Sequence, residues 1–188
     1  MTEQGHPVLR VVVATVTAGR ASLPEDAARP VIEEVQDAKL TFVRSVVVNG
    51  EPHFIQQLVS NVSNSNEADV IVMVGGTGFG PRDFTCEALD TFLERHIEGF
   101  GEAYRQLLRQ EFSVGAGAML ARATAGVYNR CLVFALPKNA SRLRRAMQLI
   151  VLPTLLEAAE LAAGRMPAAQ EQQPASPSSS RPTGRPPS

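Results

Sequence analysis

Residues 74–89, VGGTGFGPRDFTCEAL, join a glycine-rich turn to a group of polar side chains. The run before the glycines, residues 68–74, is short, β-branched and nearly uncharged, which is typical of a strand buried on both faces. Beyond the turn, apolar residues recur at helical spacing from Thr85 through Arg95. The sequence therefore predicts that the glycines form a turn between a buried strand and a helix.

Strands and helices alternate on both sides of this turn. Further strands are predicted over residues 9–16, 41–48 and 130–137. Helices are predicted over residues 24–37, 53–63, 100–108 and 140–163, and the last should kink or divide at Pro153. Glycines after residue 114 indicate a looser segment before the final strand.

This alternation implies right-handed crossovers and a mostly parallel sheet with helices on both faces. The predicted fold is a three-layer α/β/α domain with a mostly parallel central sheet. Ligands of such sheets bind outside the carboxyl ends of the strands. That rule places Thr17, Asn49, Gly75 and Pro137 along one rim, because each follows a predicted strand.

Composition favours one globular domain in a chain of 188 residues. A charged fraction of 20% and a formal net charge of -1 give no electrostatic case for nucleic acid or a membrane surface as partner. No apolar run is long enough to span a bilayer and residues 1–7 lack a signal pattern, so a cytoplasmic location is expected. We expect the domain to occupy residues 9–164, between an N-terminal segment, residues 1–8, and a disordered Pro- and Ser-rich tail, residues 165–188.

The two cysteines, Cys86 and Cys131, lie in no metal-binding or disulfide pattern and are expected to be reduced and structural. Three basic residues near the start of the last helix, Arg142, Arg144 and Arg145, oppose the helix dipole. They are either solvated or available to an anion.

The glycine turn itself has two interpretations. Glycines at a strand end let backbone N–H groups approach an anion, so the turn can bind phosphate. The same glycines are about equally consistent with a tight turn that has only a structural role. The spacing is neither that of Walker A nor that of the dinucleotide fingerprint. Asp83 and Thr85 can point back toward the turn or can cap the following helix, and Arg82 can be a surface charge. A carboxylate beside bound phosphate would suit Mg²⁺.

A longer match favours the ligand-binding interpretation. Residues 75–88, GGTGFGPRDFTCEA, resemble the signature of the MoaB/Mog family of molybdopterin-binding proteins, which includes molybdopterin adenylyltransferase. Further blocks agree in order: EGFGEAYR at 98–105, ARATAGV at 121–127 and LVFALP at 132–137. The resemblance spans roughly residues 9–156 and is nearer to the MoaB-like branch.

This resemblance implies a mixed-sheet α/β domain that forms a homotrimer and binds molybdopterin, a pterin dithiolene phosphate. Adenylyltransferase members, which are nucleotidyltransferases, transfer AMP from ATP to that phosphate with Mg²⁺. By resemblance, Asp83 would position Mg²⁺ or the reacting phosphate, and Glu51 would be a second catalytic acid. The residues expected to contact the ligands are Gly75, Gly76, Thr77, Gly78, Arg82, Thr85, Arg122 and Pro137.

The departures from the family pattern leave the activity open. The acid expected after the second strand falls on Gly50, and Glu51, one residue along, either substitutes for it or points elsewhere. Three further positions also differ: Ala18 replaces an acid, Ala121 replaces a hydroxyl residue, and Lys138 replaces a glycine. Lys138 is either an exposed turn residue or a new phosphate partner.

Two hypotheses follow for the function. In the first, the protein is a molybdopterin adenylyltransferase in which Glu51 replaces the missing acid and Asp83 is central. In the second, it is a homotrimer that binds molybdopterin, or serves in assembly, without chemistry.

Overall fold

The structure, a computed structural model, describes residues 9–17, 25–162 and 164. Within these residues six strands form one sheet: β1 (Arg10–Thr17), β2 (Thr41–Asn49), β3 (Val70–Val74), β4 (Arg95–His96), β5 (Thr124–Tyr128) and β6 (Cys131–Leu136). The α-helices in the same residues are α1 (Glu25–Asp37), α2 (Pro52–Asn64), α3 (Thr85–Asp90), α4 (Phe100–Phe112), α5 (Ala140–Ala146) and α6 (Leu152–Ala162).

The sheet has the order β2-β1-β3-β6-β5-β4. The first four strands in this order are parallel, whereas β5 runs antiparallel to β6 and to β4. The mostly parallel, mixed sheet expected from the sequence and the family resemblance is thus confirmed. The central strands β3 and β6 are buried along their whole length, as continuous apolar runs predict.

Alternate residues of the central strands feed two separate cores, one on each face of the sheet. On one face, Val72 and Phe134 pack with side chains of α1, α4, α5 and α6. On the other, Met73 and Val133 pack with side chains of α2 and α3. Because successive strand residues point to opposite faces, this division produces the three layers of the predicted fold.

The region after the glycine motif differs from the prediction. The helix from Thr85 ends at Asp90, and Arg95, expected within it, lies in β4. β4 pairs with β5, a strand that falls in the segment predicted to be loose. Gly126 makes this pairing possible, since a Cβ there would lie 2.2 Å from the backbone oxygen of Arg95. A glycine inside a strand can therefore mark close backbone approach rather than a loop.

The C-terminal helix is divided, as expected from Pro153. Between α5 and α6 the residues Met147–Val151 form a π-helical turn, in which the Leu152 N–H bonds to the Met147 oxygen. Pro153 has no N–H to continue the ordinary helical ladder, which is consistent with a wider turn just before it.

None of the described helices combines the length and apolar character that crossing a bilayer requires. Ala18 and the predicted segments 1–8 and 165–188 lie outside the described residues.

Candidate functional site

The four predicted rim residues lie at one edge of the sheet. Thr17 is in register with Asn49, and the Gly50 N–H donates to the Thr17 oxygen at 2.8 Å. The Gly75 N–H donates to the oxygen of Leu136, the residue before Pro137, at 2.9 Å. The carboxyl ends of the parallel strands meet here, as the fold requires.

A cavity of about 430 Å³ opens beside the glycine turn. It brings together seven of the ten predicted site residues: Gly75, Gly76, Thr77, Gly78, Asp83, Arg122 and Pro137. The rest of its wall comes from α4, the segment after α4, and the start of α5, with Tyr104, Leu120, Lys138 and Arg142 among the contributors.

Volume alone does not distinguish this cavity. Another of about 410 Å³ lies at the amino ends of the strands, beside Leu9, Asp69 and Cys131. Its acid, Asp69, is already paired with Arg10, Oδ1 to Nη2 at 2.9 Å. The cavity at the glycine turn is the stronger candidate because a backbone turn, a carboxylate and cationic side chains converge on it.

The glycine turn is held from behind by Thr85. The Gly75 and Gly76 φ angles are 101° and 65°, in the left-handed region that favours glycine. The fully buried Thr85 donates from Oγ1 to the Gly75 oxygen at 2.9 Å and from its N–H to the Gly76 oxygen at 2.9 Å. Thr85 therefore shapes the turn and is not part of the cavity wall.

Asp83 closes the motif loop on itself. Its Oδ2 accepts a hydrogen bond from the Gly80 N–H at 3.0 Å. A Cβ at Gly78 would lie 2.6 Å from the same oxygen, so the loop can wrap around the carboxylate only without a side chain there. The side chain is half-buried and lines the cavity, which leaves a carboxylate facing the candidate site.

Arg122 forms hydrogen bonds with residues near both ends of the motif. Its Nε donates to the Thr77 oxygen at 2.9 Å, and its two terminal nitrogens bond to the Gly78 oxygen and to the carboxylate of Glu87. The hydrogen bond to Glu87 raises the pKa of Arg122, and the same bond lowers the pKa of Glu87. Arg122 lines the cavity, but most of its donors hold the loop.

Glu51 and Arg82 lie outside the wall of this cavity in the described part of the chain. The Glu51 side chain is 61% exposed, and its Oε2 lies 3.6 Å from Nδ1 of His53. A Cβ at Gly50, by contrast, would lie 3.4 Å from the backbone oxygen of Arg82 in the motif loop. The position that lacks the acid is thus the one that adjoins the motif.

Among the cavity-wall residues that were not predicted as site residues, three have polar or charged side chains: Tyr104, Lys138 and Arg142. The sequence leaves Lys138 and Arg142 open between exposed charges and partners of an anion, and it places Tyr104 within the helix predicted over residues 100–108. The signal that could have found Tyr104 is its hydroxyl, a polar group among the buried residues of α4. It is buried without a hydrogen-bond partner among the described residues, and burial raises its pKa to about 12.

The burial of both cysteines is consistent with the structural role expected for them. Both cysteines are buried, and burial raises the pKa of Cys86 to about 11, which disfavours the thiolate. Within the described residues no group of three or more His, Cys, Asp or Glu side chains is arranged to hold a metal ion. Asp83 alone fits Mg²⁺ only if ligand phosphates and waters supply the other oxygens.

The chain matches the family model described as "Probable molybdopterin binding domain" over residues 13–157. It is 31% identical over 153 residues to "Molybdenum cofactor biosynthesis protein B" of Bacillus anthracis, covering 81% of this chain and 90% of that protein. It is 32% identical over 146 residues to the protein of that name in Escherichia coli K12, covering 78% and 85%.

Solved structures agree with this assignment. A crystal structure of a molybdenum cofactor biosynthesis protein B has a TM-score of 0.79 at 29% identity and covers 86% of this chain and 100% of that one. The molybdopterin biosynthesis enzyme MoaB of Thermus thermophilus has a TM-score of 0.73 at 28% identity, with 84% and 98% covered. This chain therefore belongs to the MoaB/Mog family, whose domain it contains over most of its length.

Proposed function

We propose that this chain acts in molybdenum cofactor biosynthesis by binding molybdopterin in the cavity beside the glycine turn. One observation carries the proposal: a single cavity of about 430 Å³ is lined by the glycines of the family signature, by Asp83 and by Arg122. Membership of the family and the names of the curated relatives support the same role.

The turn suits the phosphate end of such a ligand. Gly75 and Gly76 lack a Cβ, so their backbone can approach an anion closely. Thr85 and Arg122 fix the carbonyls of the turn from other directions, which leaves its shape preorganised before a ligand arrives. The cations Lys138 and Arg142 in the same wall favour an anionic ligand.

Adenylylation of molybdopterin with Mg-ATP is the second candidate, supported by Asp83. The Asp83 carboxylate lies in the cavity wall, where it could share Mg²⁺ with substrate phosphates. When bound, Mg²⁺ would neutralise the crowded negative charge of the phosphates. Glu51 gives this candidate less support, because its carboxylate lies beside His53 and outside the cavity wall.

Calorimetry under anaerobic conditions tests the two candidate functions one after the other. The protein is titrated with molybdopterin, then with ATP and Mg²⁺, and the mixture is assayed for AMP transfer. Binding of molybdopterin alone supports the binding role. Transfer that Asp83→Asn abolishes establishes adenylylation, while absence of molybdopterin binding overturns the proposal.

The homotrimer and the cytoplasmic location remain predictions from the sequence and the family resemblance. Sedimentation equilibrium checks the first, with a particle mass near three times 20.2 kDa as the expected result. A monomer at micromolar concentration would contradict it.

A further inference from the structure

The three arginines of α5 have different surroundings. Arg144 forms ion pairs with Glu33 and Glu34, and Arg145 forms one with Glu111. Arg142 has no such acidic partner among the described residues, and its guanidinium carbon lies 5.8 Å from the centre of the Phe112 ring. Only Arg142 of the three lines the cavity at the glycine turn.

Lys138 is a second cation in that wall. It follows directly after Pro137, and its Cβ lies 3.9 Å from where a Cβ on Gly75 would be. Its side chain is exposed, and no carboxylate in the described part of the chain pairs with it. Lys138 and Arg142 therefore bring to the wall of this cavity two positive charges that have no ion-pair partner among the described residues.

Tyr104 supplies an independent sign that a ligand belongs there. The residue is 1% exposed, and its hydroxyl has no hydrogen-bond partner among the described residues. Buried hydroxyls in folded proteins nearly always have a partner, since an unpaired one costs free energy. Because Tyr104 lines the same cavity as the two cations, an oxygen of a bound ligand is a suitable acceptor.

We propose that Lys138, Arg142 and Tyr104 form a subsite that takes a phosphate group of the ligand. Two cations and a hydroxyl donor match the charge and the acceptor oxygens of a phosphate monoester. The inference rests on the proposed function for the identity of the ligand, since molybdopterin carries such a phosphate. ATP is a second source of the same chemistry.

The first test needs no pterin. The chain has two lysines, Lys39 and Lys138, and Lys39 is an exposed residue just before β2, at the other end of the strands. The protein is acetylated at low reagent concentration with and without inorganic phosphate, at equal ionic strength, and the modified lysines are quantified by mass spectrometry. We expect phosphate to slow the labelling of Lys138 about tenfold and to leave Lys39 unchanged. Equal rates for Lys138 in both buffers would overturn the subsite.

The second test compares molybdopterin with its dephosphorylated form by calorimetry. Lys138→Gln and Arg142→Gln should each weaken binding of the phosphorylated form about tenfold and leave the dephosphorylated form unaffected, as expected for a lost charge-assisted bond. Lys39→Gln and Arg145→Gln are the matched controls and should change neither. Equal losses for both forms, or equal losses in the controls, would contradict the subsite.

Tyr104→Phe separates a ligand contact from a structural role. It should weaken binding of the phosphorylated form while leaving the free energy of unfolding of the ligand-free protein undiminished. A loss of stability with unchanged affinity would remove Tyr104 from the subsite.

The outcomes distinguish this inference from the proposed function. If molybdopterin binds equally well with and without its phosphate, the proposed function stands and the subsite is wrong. If neither form binds, the proposed function is wrong, and the labelling with inorganic phosphate decides the subsite alone. A parallel ATP titration identifies the source: if only ATP binding weakens in Lys138→Gln and Arg142→Gln, the subsite takes the phosphate of the nucleotide.

Discussion

At the scale of single residues, two side chains hold the glycine turn in shape by bonding to its carbonyls. Thr85 bonds to the oxygen of Gly75, and Arg122 bonds to those of Thr77 and Gly78. Both were expected from the family resemblance to contact the ligand directly. Their described partners indicate that they act first by fixing the direction of the backbone N–H groups that a phosphate would meet.

Thr85→Val tests this positioning role. The substitution keeps the volume but removes the buried hydrogen bond to Gly75, so it should destabilise the protein by about 1–3 kcal/mol and weaken molybdopterin binding. Denaturant unfolding and calorimetry measure the two effects. Thr85→Ser retains the hydroxyl and should recover most of the affinity. Wild-type affinity in Thr85→Val would show that the turn needs no such support.

Glu87 makes part of the protein's free energy of unfolding depend on pH. Its hydrogen bond to Arg122 lowers the pKa of Glu87 in the folded state, so the bond stabilises the fold above the unfolded-state pKa and is lost as the pH falls through the folded-state value. Since the Glu87 side chain is 50% exposed, we expect Glu87→Gln to cost under about 1 kcal/mol at pH 7.

Urea unfolding of the wild type and Glu87→Gln across pH measures this contribution. The stability difference should stay constant down to about pH 4.3, the ordinary value for Glu, and decline below it as the pH falls through the lowered folded-state pKa. Glu102→Gln, which removes a surface pair with Arg105, is a control remote from the loop. A stability difference that does not change with pH over the acid range in which the protein stays folded would contradict the assigned ion pair.

At the scale of elements, β5 shows why a short strand escaped sequence reasoning. Its centre is a glycine, Gly126, which is not typical of a strand when the sequence is considered alone. The strand forms because β6 offers an antiparallel partner on one side and β4 on the other. Thr124, the first residue of β5, pairs with Ala135 near the carboxyl end of β6, so Arg122 just before β5 lies at the cavity edge of the sheet.

Gly126→Ala tests this account of β5. Its Cβ would meet the backbone oxygen of Arg95 at 2.2 Å, so the β4 to β5 pairing must open and the protein should lose more than about 2 kcal/mol of stability. Thermal unfolding measures the loss. Gly99→Ala is the matched control, because a Cβ there meets nothing within 4 Å, and we expect it to be neutral or slightly stabilising. Equal effects of the two substitutions would contradict the close approach.

At the scale of the whole molecule, two loops from different parts of the chain meet at the motif. Gly50 follows β2, and a Cβ on it would come within 3.4 Å of the backbone oxygen of Arg82, a residue of the motif loop. The sheet order creates this meeting, since β2 and β3 flank β1 and end at the same edge. The position that lacks the family's acid therefore adjoins the motif loop.

Gly50→Asp tests whether that gap limits adenylylation. A carboxylate at position 50 would stand beside the motif loop, and correct placement of a catalytic group is worth on the order of 100-fold in rate. We expect AMP transfer from Mg-ATP to molybdopterin to rise by at least tenfold over wild type. Gly50→Asn has the same size without the charge and should not raise it.

The contacts at position 50 require a stability control. A Cβ there would lie 3.2 Å from the Thr17 oxygen, so both variants should unfold at similar, slightly reduced temperatures. If Gly50→Asp folds and binds both substrates without raising transfer, the loss of this acid does not explain any lack of activity.

Sequence patterns alone located most of the architecture. Buried strands such as β3 have continuous apolar runs, and the glycine turn, the helices α1 and α2 and the break near Pro153 have local signatures, because each depends on residues close in the chain. The end of α3 and the strands β4 and β5 were missed because distant pairing overrides local helical spacing there.

By itself, then, the sequence determined the three-layer fold, the family and the loop that forms the centre of the site. Only the tertiary structure decided which side chains face the cavity. Arg122 bonds largely to the Gly78 oxygen and to Glu87, and Glu51 lies beside His53. Arg142 has no acidic partner among the described residues, whereas Arg144 and Arg145 each form ion pairs. The physical reason is that a polar side chain is available to a ligand only if other groups of the protein do not already bond to it. Those groups come from segments far apart in the chain that only the folded sheet brings together.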